Sequence, residues 1–384
     1  MVNVRFPAVG GHVGSIFYGE NTAEGYTTLQ KSTTAWEIIY YIGMYFSKQL
    51  LLRPIICDIS SSFLRSMEGL KLFTPRFFAA RVPEAWAPRS DALRREIERL
   101  GGMQLITRVW LKASDEALEE LWIFLFLELF EGSSCVRGWS EAYDQTRWGL
   151  SLVDETSSAQ EPAVMDVKIG TLRYSPHTPK EKVTRIDRKE EGALCRKVAL
   201  RLCGFRRFIH PSPPDALHTP TKVEELEKQF GFSMREDELS AVLRCFPSTV
   251  VGLLEGKSTT GVPRCPHHVF VKDCLNSITQ DRRSAMQEVV EGLLYFFQET
   301  TEGQYLINVM AFVSTSLLFL YDAAGGAKTV KVCLIDFSRS SCRHLNYDEE
   351  TIGFIKGLQN MVQYLNIPVC PPKDSIQPDK KDGS

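Results

Sequence analysis

The stretch Glu161-Pro-Ala-Val-Met-Asp166-Val-Lys168-Ile-Gly170 places a carboxylate and an ammonium two residues apart inside an otherwise apolar run. Read as a strand over residues 163–169, it puts alternate side chains on one face. Asp166 and Lys168 then point the same way, with Val164, while Val167 and Ile169 face the other layer. Burying two opposite charges is costly unless they pair or meet a charged ligand. Two readings follow: a strand-end salt bridge, or the wall of a cleft that handles phosphate and a hydroxyl.

The same stretch reads Pro162-x-x-x-Asp166-x-Lys168-x-Gly170, and two further stretches follow in order, Thr315-Ser316-Leu317-Leu318 and Ile335-Asp336-Phe337-Ser338. Together they resemble the inositol polyphosphate kinase family, which comprises the multikinases, the trisphosphate 3-kinases and the hexakisphosphate kinases. Thr315 stands where the family has the first serine of Ser-Ser-Leu-Leu and keeps the hydroxyl. The resemblance implies an α+β, two-lobed protein-kinase-like fold with antiparallel sheets and an added basic substrate-binding helix. It implies ATP and Mg²⁺ as cofactors and a soluble inositol polyphosphate as substrate.

It also implies roles for named residues. Asp336 would hold Mg²⁺ and, through it, the ATP phosphates, since a hard cation wants oxygen ligands; the alternative is a carboxylate capping the next turn. Lys168 would contact the substrate near the reacting hydroxyl and the transferred phosphoryl group. Asp166 would bind ribose or orient that hydroxyl. Ser316 would present its hydroxyl to the phosphates or hold the catalytic strand. Lys31, on an early strand, would contact nucleotide phosphates and be held by Glu37 on the following helix; the alternatives are a solvated strand-end lysine and an ordinary surface glutamate. Glu128 would mark the hinge that meets adenine through backbone groups. Where many members have a histidine after Asp-Phe-Ala, this chain has Arg339, which retains the cation and changes its geometry.

Between Lys180 and Arg207 the chain carries ten basic side chains against four acidic ones. Lys182, Arg185 and Lys189 fall at i, i+3 and i+7, on one face of a helix. A solvated face and a wall for several phosphates both fit that pattern. The matching family segment ends in Gly-x-Arg, which is Gly204-Phe205-Arg206 here, so Lys182, Arg185, Lys189, Arg206 and Arg339 make up the expected substrate contacts.

Along the chain, Gly10–Gly14 reads as a turn and Tyr26–Lys31 as a strand. Helices are expected over 35–49, 91–100, 222–230 and 287–298. Leu121–Phe130, rich in aromatic residues, is expected as a buried central strand. Residues 131–160 read as a loop, giving a nucleotide-binding lobe over 1–130, a catalytic lobe over 131–371 and a disordered tail over 372–384. Residues 316–321 and 329–336 are expected as two strands of a hairpin around Ala-Ala-Gly-Gly-Ala.

A net charge of -2 argues against bulk nucleic-acid binding. Tyr305–Tyr321 approaches membrane-span length but is interrupted by Asn308 and Ser314–Ser316, so no span is expected. The ten cysteines are scattered without a Cys-x-x-Cys pair, as in a reducing compartment, the cytoplasm or the nucleus. Cys265, His267, His268 and Cys274 match no common zinc spacing. No His-Arg-Asp loop and no Gly-x-Gly-x-x-Gly loop is present, which disfavours a protein kinase. The sequence therefore points to a multikinase-like enzyme, with a hexakisphosphate kinase or a weakly catalytic, kinase-like interaction module as the alternatives.

Overall fold

The computed structural model describes residues 16–52, 58–84, 91–99, 102, 110–112, 117–126, 147–174, 178–210, 222–250, 277–342 and 348–366. Two five-stranded antiparallel sheets organise them. The first is built from β1 (Ile16–Tyr18), β2 (Thr28–Thr33), β3 (Phe77–Arg81), β4 (Leu111–Lys112) and β5 (Trp148–Val153), in the order β1-β2-β5-β3-β4. Helices α1 (Ala35–Leu50), α2 (Asp58–Leu70), α3 (Asp91–Arg99) and α4 (Ala117–Phe126) lie between those strands in sequence. The second sheet uses β6 (Pro162–Ile169), β7 (Leu200–Ile209), β8 (Lys222–Leu226), β10 (Ser316–Asp322) and β11 (Lys331–Ile335), in the order β11-β10-β6-β7-β8. A two-stranded ribbon pairs β9 (Met310–Ala311) with β12 (Ser341–Cys342). The remaining helices are α5 (Lys180–Glu190), α6 (Leu194–Val198), α7 (Phe230–Ser233), α8 (Glu236–Cys245), α9 (Ser277–Glu299), α10 (Thr301–Val309) and α11 (Asp348–Asn366).

The mixed α and β architecture with antiparallel sheets is the one expected. The 163–169 strand, the hairpin of β10 and β11 and the basic helix α5 fall where the sequence placed them. β6 obeys the expected parity. Ala163, Met165, Val167 and Ile169 are fully buried, while Val164 and Lys168 on the other face are half-exposed. α11 backs this strand closely: a Cβ on Gly357 would stand 2.7 Å from the Ala199 carbonyl oxygen, so only glycine lets the helix approach. Tyr305–Tyr321 divides between α10, β9 and β10, and among the described residues no helix is long and apolar enough to cross a membrane.

Three expectations are corrected. The described part of Leu121–Phe130 is not a strand; it closes α4. An apolar run of this length fits a buried helix as well as a buried strand, and acidic residues at Glu119 and Glu120 suit the first turn of a helix. Every residue from Leu121 to Phe126 is buried, with Trp122 Nε1 donating to the Ile39 carbonyl at 3.0 Å. Second, the stretch read as a loop holds β5, which pairs with both β2 and β3. The first sheet thus continues past residue 130, and residues 154–161 make the crossing to the second sheet. Third, the expected helix at Lys222–Phe230 is strand β8 followed by a turn. Its inward positions, Glu224 and Leu226, alternate. Glu224 is buried because Arg207 Nε donates to it at 2.7 Å, an ion pair that overrides the helical spacing of the charges.

Candidate active site

The sheets meet through the first turn of α1 and the residues after β11. Glu37 is completely buried, and a buried carboxylate needs donors. It accepts from Lys31 Nζ at 2.9 Å, from the Phe337 N–H at 3.0 Å and from the Thr33 hydroxyl. Tyr40 stacks on Phe337 with centroids 4.8 Å apart, and the Thr34 hydroxyl donates to the Ser338 carbonyl at 2.9 Å.

Asp336 follows β11 directly, with φ +67 and ψ +55, a left-handed conformation that aspartate tolerates better than most residues. Its carboxylate is thereby turned between two lysines: Lys31 Nζ is 3.0 Å from Oδ1 and Lys168 Nζ is 3.0 Å from Oδ2. Burial alone would raise this carboxyl, but Lys168 and Lys31 outweigh it and hold it far below the usual carboxylate range. Burial would likewise lower Lys31, yet Glu37 and Asp336 hold its ammonium above the usual lysine range. About a third of the Asp336 side chain remains accessible, at 35%, so the group borders an open cleft.

Lys168 has three acceptors: Asp336 Oδ2, Ser316 Oγ at 3.0 Å and the Ser314 carbonyl at 2.8 Å. Register explains the convergence, because Ser316 is directly opposite both Lys168 on β6 and Ile335 on β11. Asp166 shares this face but is only 5% exposed, and its Oδ1 has no hydrogen-bond partner. Burial raises its carboxyl; Lys168 opposes the shift and Asp336 adds to it. Opposite Asp166 on β7 is Gly204, at φ +147, a backbone conformation that side chains rarely adopt. On the same face lie three half-buried apolar residues on a diagonal across three strands: Val164 on β6, Leu318 opposite Asp166 on β10, and Ile335 opposite Ser316 on β11.

Five of the expected residues, Lys31, Asp166, Lys168, Ser316 and Asp336, come together here with Glu37. The expected substrate residues are more spread. Lys182, Arg185 and Lys189 are exposed on α5. Arg339 donates to the Arg173 carbonyl in the stretch that follows β6. Arg206 is largely buried opposite Val164, with Nε 3.2 Å from Glu225. Glu128, the Gly10–Gly14 turn and the Cys265–Cys274 group lie outside the described residues.

Two cations of this site were not foreseen. Arg201 stands directly opposite Lys168 in the β6–β7 register. Lys228, in the turn after β8, is half-buried. Burial pushes its ammonium down, Cys203 and Asp166 oppose that, and Arg201 and Lys168 add like-charge repulsion. Strand parity through Leu200 and Leu202 would have assigned Arg201 to the cleft face. Lys228 was hidden by the helical reading of 222–230. The site thus gathers Lys168, Arg201 and Lys228 near a buried, partly unsatisfied carboxylate.

Three comparisons bear on this arrangement. The family model for inositol polyphosphate kinase matches residues 149–366. Among solved structures, the chain is similar to the inositol phosphate multikinase Ipk2 from S. cerevisiae, in complex with ADP and Mn²⁺, at 15% identity and a TM-score of 0.41 over 57% of this chain and 83% of that one. It is similar to a second inositol phosphate multikinase structure at 18% identity and a TM-score of 0.38, over 56% of this chain and 83% of that one. No curated protein sequence matches it. The matched span covers more than half of the chain and contains Asp166, Lys168, Ser316 and Asp336, and on that match the chain belongs to the inositol polyphosphate kinase family.

Proposed function

We propose that this chain is an ATP-dependent kinase that phosphorylates hydroxyls of soluble inositol polyphosphates, in the manner of a multikinase. The observation that carries the reading is the Lys31–Asp336–Lys168 triad, which draws its members from both sheets and leaves the carboxylate at an open cleft. Phosphoryl transfer needs mainly positioning and charge neutralisation, and this cluster supplies both.

Asp336 is the hard oxygen donor of the site. No group of three or more potential metal-ligating side chains occurs among the described residues. That donor set fits Mg²⁺, which typically takes one or two carboxylates and completes its shell with phosphate oxygens and water. When bound, the ion supplies charge neutralisation at the phosphates. Lys31, fixed by Glu37, contacts the nucleotide phosphates. Lys168, held by Ser316 and the Ser314 carbonyl, meets the phosphoryl group in flight. Asp166, with Oδ1 unpartnered, accepts a hydroxyl from ribose or from the substrate. The apolar residues Val164, Leu318 and Ile335 receive the base, and the backbone of the 154–161 crossing takes the hinge role that the sequence assigned near Glu128. Lys182, Arg185 and Lys189, with Arg201 and Lys228, bind the substrate's phosphates.

The test is turnover of a panel of inositol phosphates with Mg-ATP, products separated by chromatography, for the native chain and Asp336→Asn. Products from tris- and tetrakisphosphates, lost in the variant, are expected. Product from hexakisphosphate alone would replace this reading with a pyrophosphate-forming kinase. Nucleotide binding with no product from any member would replace it with an interaction module.

A further inference from the structure

The basic helix α5 is attached in an unusual way. Of its residues only Glu190, the last, is buried; Lys182, Arg185 and Lys189 are exposed, and the apolar Val183 and Ile186 are half-exposed. A surface helix is ordinarily docked by an apolar stripe. Here the buried anchor is a carboxylate, 2% exposed.

Glu190 Oε1 accepts from Arg201 Nη1 at 3.1 Å, and Arg173 Nε lies 3.7 Å from the same oxygen. Both arginines are buried, at 7% and 3% exposure. Arg173 Nη1 also donates to the Ile169 carbonyl at 3.0 Å, and the Arg173 carbonyl receives Arg339. Arg201 is opposite Lys168 in register and lies over the Phe232 ring at 4.3 Å. One carboxylate therefore joins the end of α5, the start of β7 and the segment after β6. Two guanidinium groups share a single oxygen, and Glu190 Oε2, Arg201 Nε and Arg173 Nη2 are buried without hydrogen-bond partners. Such an anchor is less favourable than an apolar one of the same size. What it provides instead is direction, since charge-assisted bonds fix geometry.

We propose that Glu190 is a positioning residue for the acceptor substrate. It sets α5, and so Lys182, Arg185 and Lys189, against Arg201 and, through Arg173, against Arg339. The phosphate-binding groups are then held as one surface instead of three independent ones. This rests on the inositol polyphosphate reading above, and it does not involve the Lys31–Asp336 side of the cleft.

The experiment is steady-state turnover of an inositol tetrakisphosphate by the full chain, native and Glu190→Gln, with KM measured separately for the inositol phosphate and for Mg-ATP. Hydrogen exchange of the α5 amides is followed in the same proteins. Expected is a rise of about tenfold or more in KM for the inositol phosphate, as misplacement of binding groups predicts, with KM for Mg-ATP unchanged and faster exchange confined to α5. An unchanged KM for the inositol phosphate overturns the proposal, as does a parallel rise for Mg-ATP. Should Glu190→Gln fail to fold, Glu190→Asp retains the charge and shortens the reach; the same selective rise is expected, smaller, and its absence overturns the proposal. A native chain that turns over no inositol phosphate refutes the functional reading itself, and this inference falls with it.

Discussion

Lys31 and Asp336 stand 305 positions apart in the chain and meet at 3.0 Å between the two sheets. With Lys168 on its other oxygen, the carboxylate balances two ammonium groups. Asp336→Asn is the informative substitution, because asparagine also tolerates the left-handed backbone at this position. Turnover is expected to fall by about a hundredfold to a thousandfold, the loss typical of removing one preorganised electrostatic group. The stability loss should stay below the roughly 3 kcal/mol of a fully buried pair, since water screens a side chain that is a third exposed. Retained turnover would remove Asp336 from the reaction.

Asp166 is expected to work against the fold. Its carboxyl is raised in the folded state, chiefly by burial, so it binds its proton more tightly there than in the unfolded chain. Its contribution to stability is therefore full below the ordinary carboxylate range and is lost as pH rises through the raised value. Asp166→Asn should have the higher melting midpoint at pH 7, by about 2 °C for each kcal/mol recovered. The difference should vanish near pH 3, and turnover should be lost at both. A lower midpoint at pH 7 would mean that Asp166 has a partner in solution.

Arg207 and Glu224 provide a control remote from the chemistry. Arg207 is fully buried; it donates to Glu224 at 2.7 Å and to the Ser248 carbonyl at 2.8 Å. Removing one partner strands the other charge, so Glu224→Ala should cost about 3–5 kcal/mol in denaturant unfolding. Both KM values of the folded fraction should be native. A changed KM would show that β8 reaches the site through more than Lys228.

Lys182→Ala, Lys189→Ala and Lys228→Ala should each raise KM for the inositol phosphate and weaken its dependence on salt, leaving KM for Mg-ATP alone. The two α5 lysines are exposed, so their loss should not lower the melting midpoint. Unchanged turnover of every inositol phosphate in all three would leave α5 a solvated face.

Much of this site was legible because its logic is local. Strand parity alone puts Asp166 and Lys168 on one face, and the resemblance of Ile335-Asp336-Phe337-Ser338 to the family motif singles out Asp336. The lysine at 31 and the glutamate at 37 sit on consecutive elements, and the resemblance to kinase-like folds suggested their pairing, which strand and helix alone left open. What escaped depends on distant partners. Parity gives Arg201 its face, but its place opposite Lys168 comes from the register, and Glu224 can be buried in a strand only because Arg207 waits on the neighbouring one. Leu121–Phe130 was ambiguous in principle, since a continuous apolar run carries no period to separate helix from strand.

The position of β5 in the middle of its sheet has a consequence for how the molecule is made. During synthesis β2 and β3 emerge early, with the apolar α1 between them in sequence, but the strand that pairs with both arrives only with Trp148–Val153. Until then one edge of β2 and one edge of β3 have no final partner. The first sheet therefore cannot close before Trp148–Val153 has been made, and a fragment ending at α4 should keep both edges unpaired. Folding of this chain thus passes through a stage in which two strand edges stand open, to be closed by a single late strand.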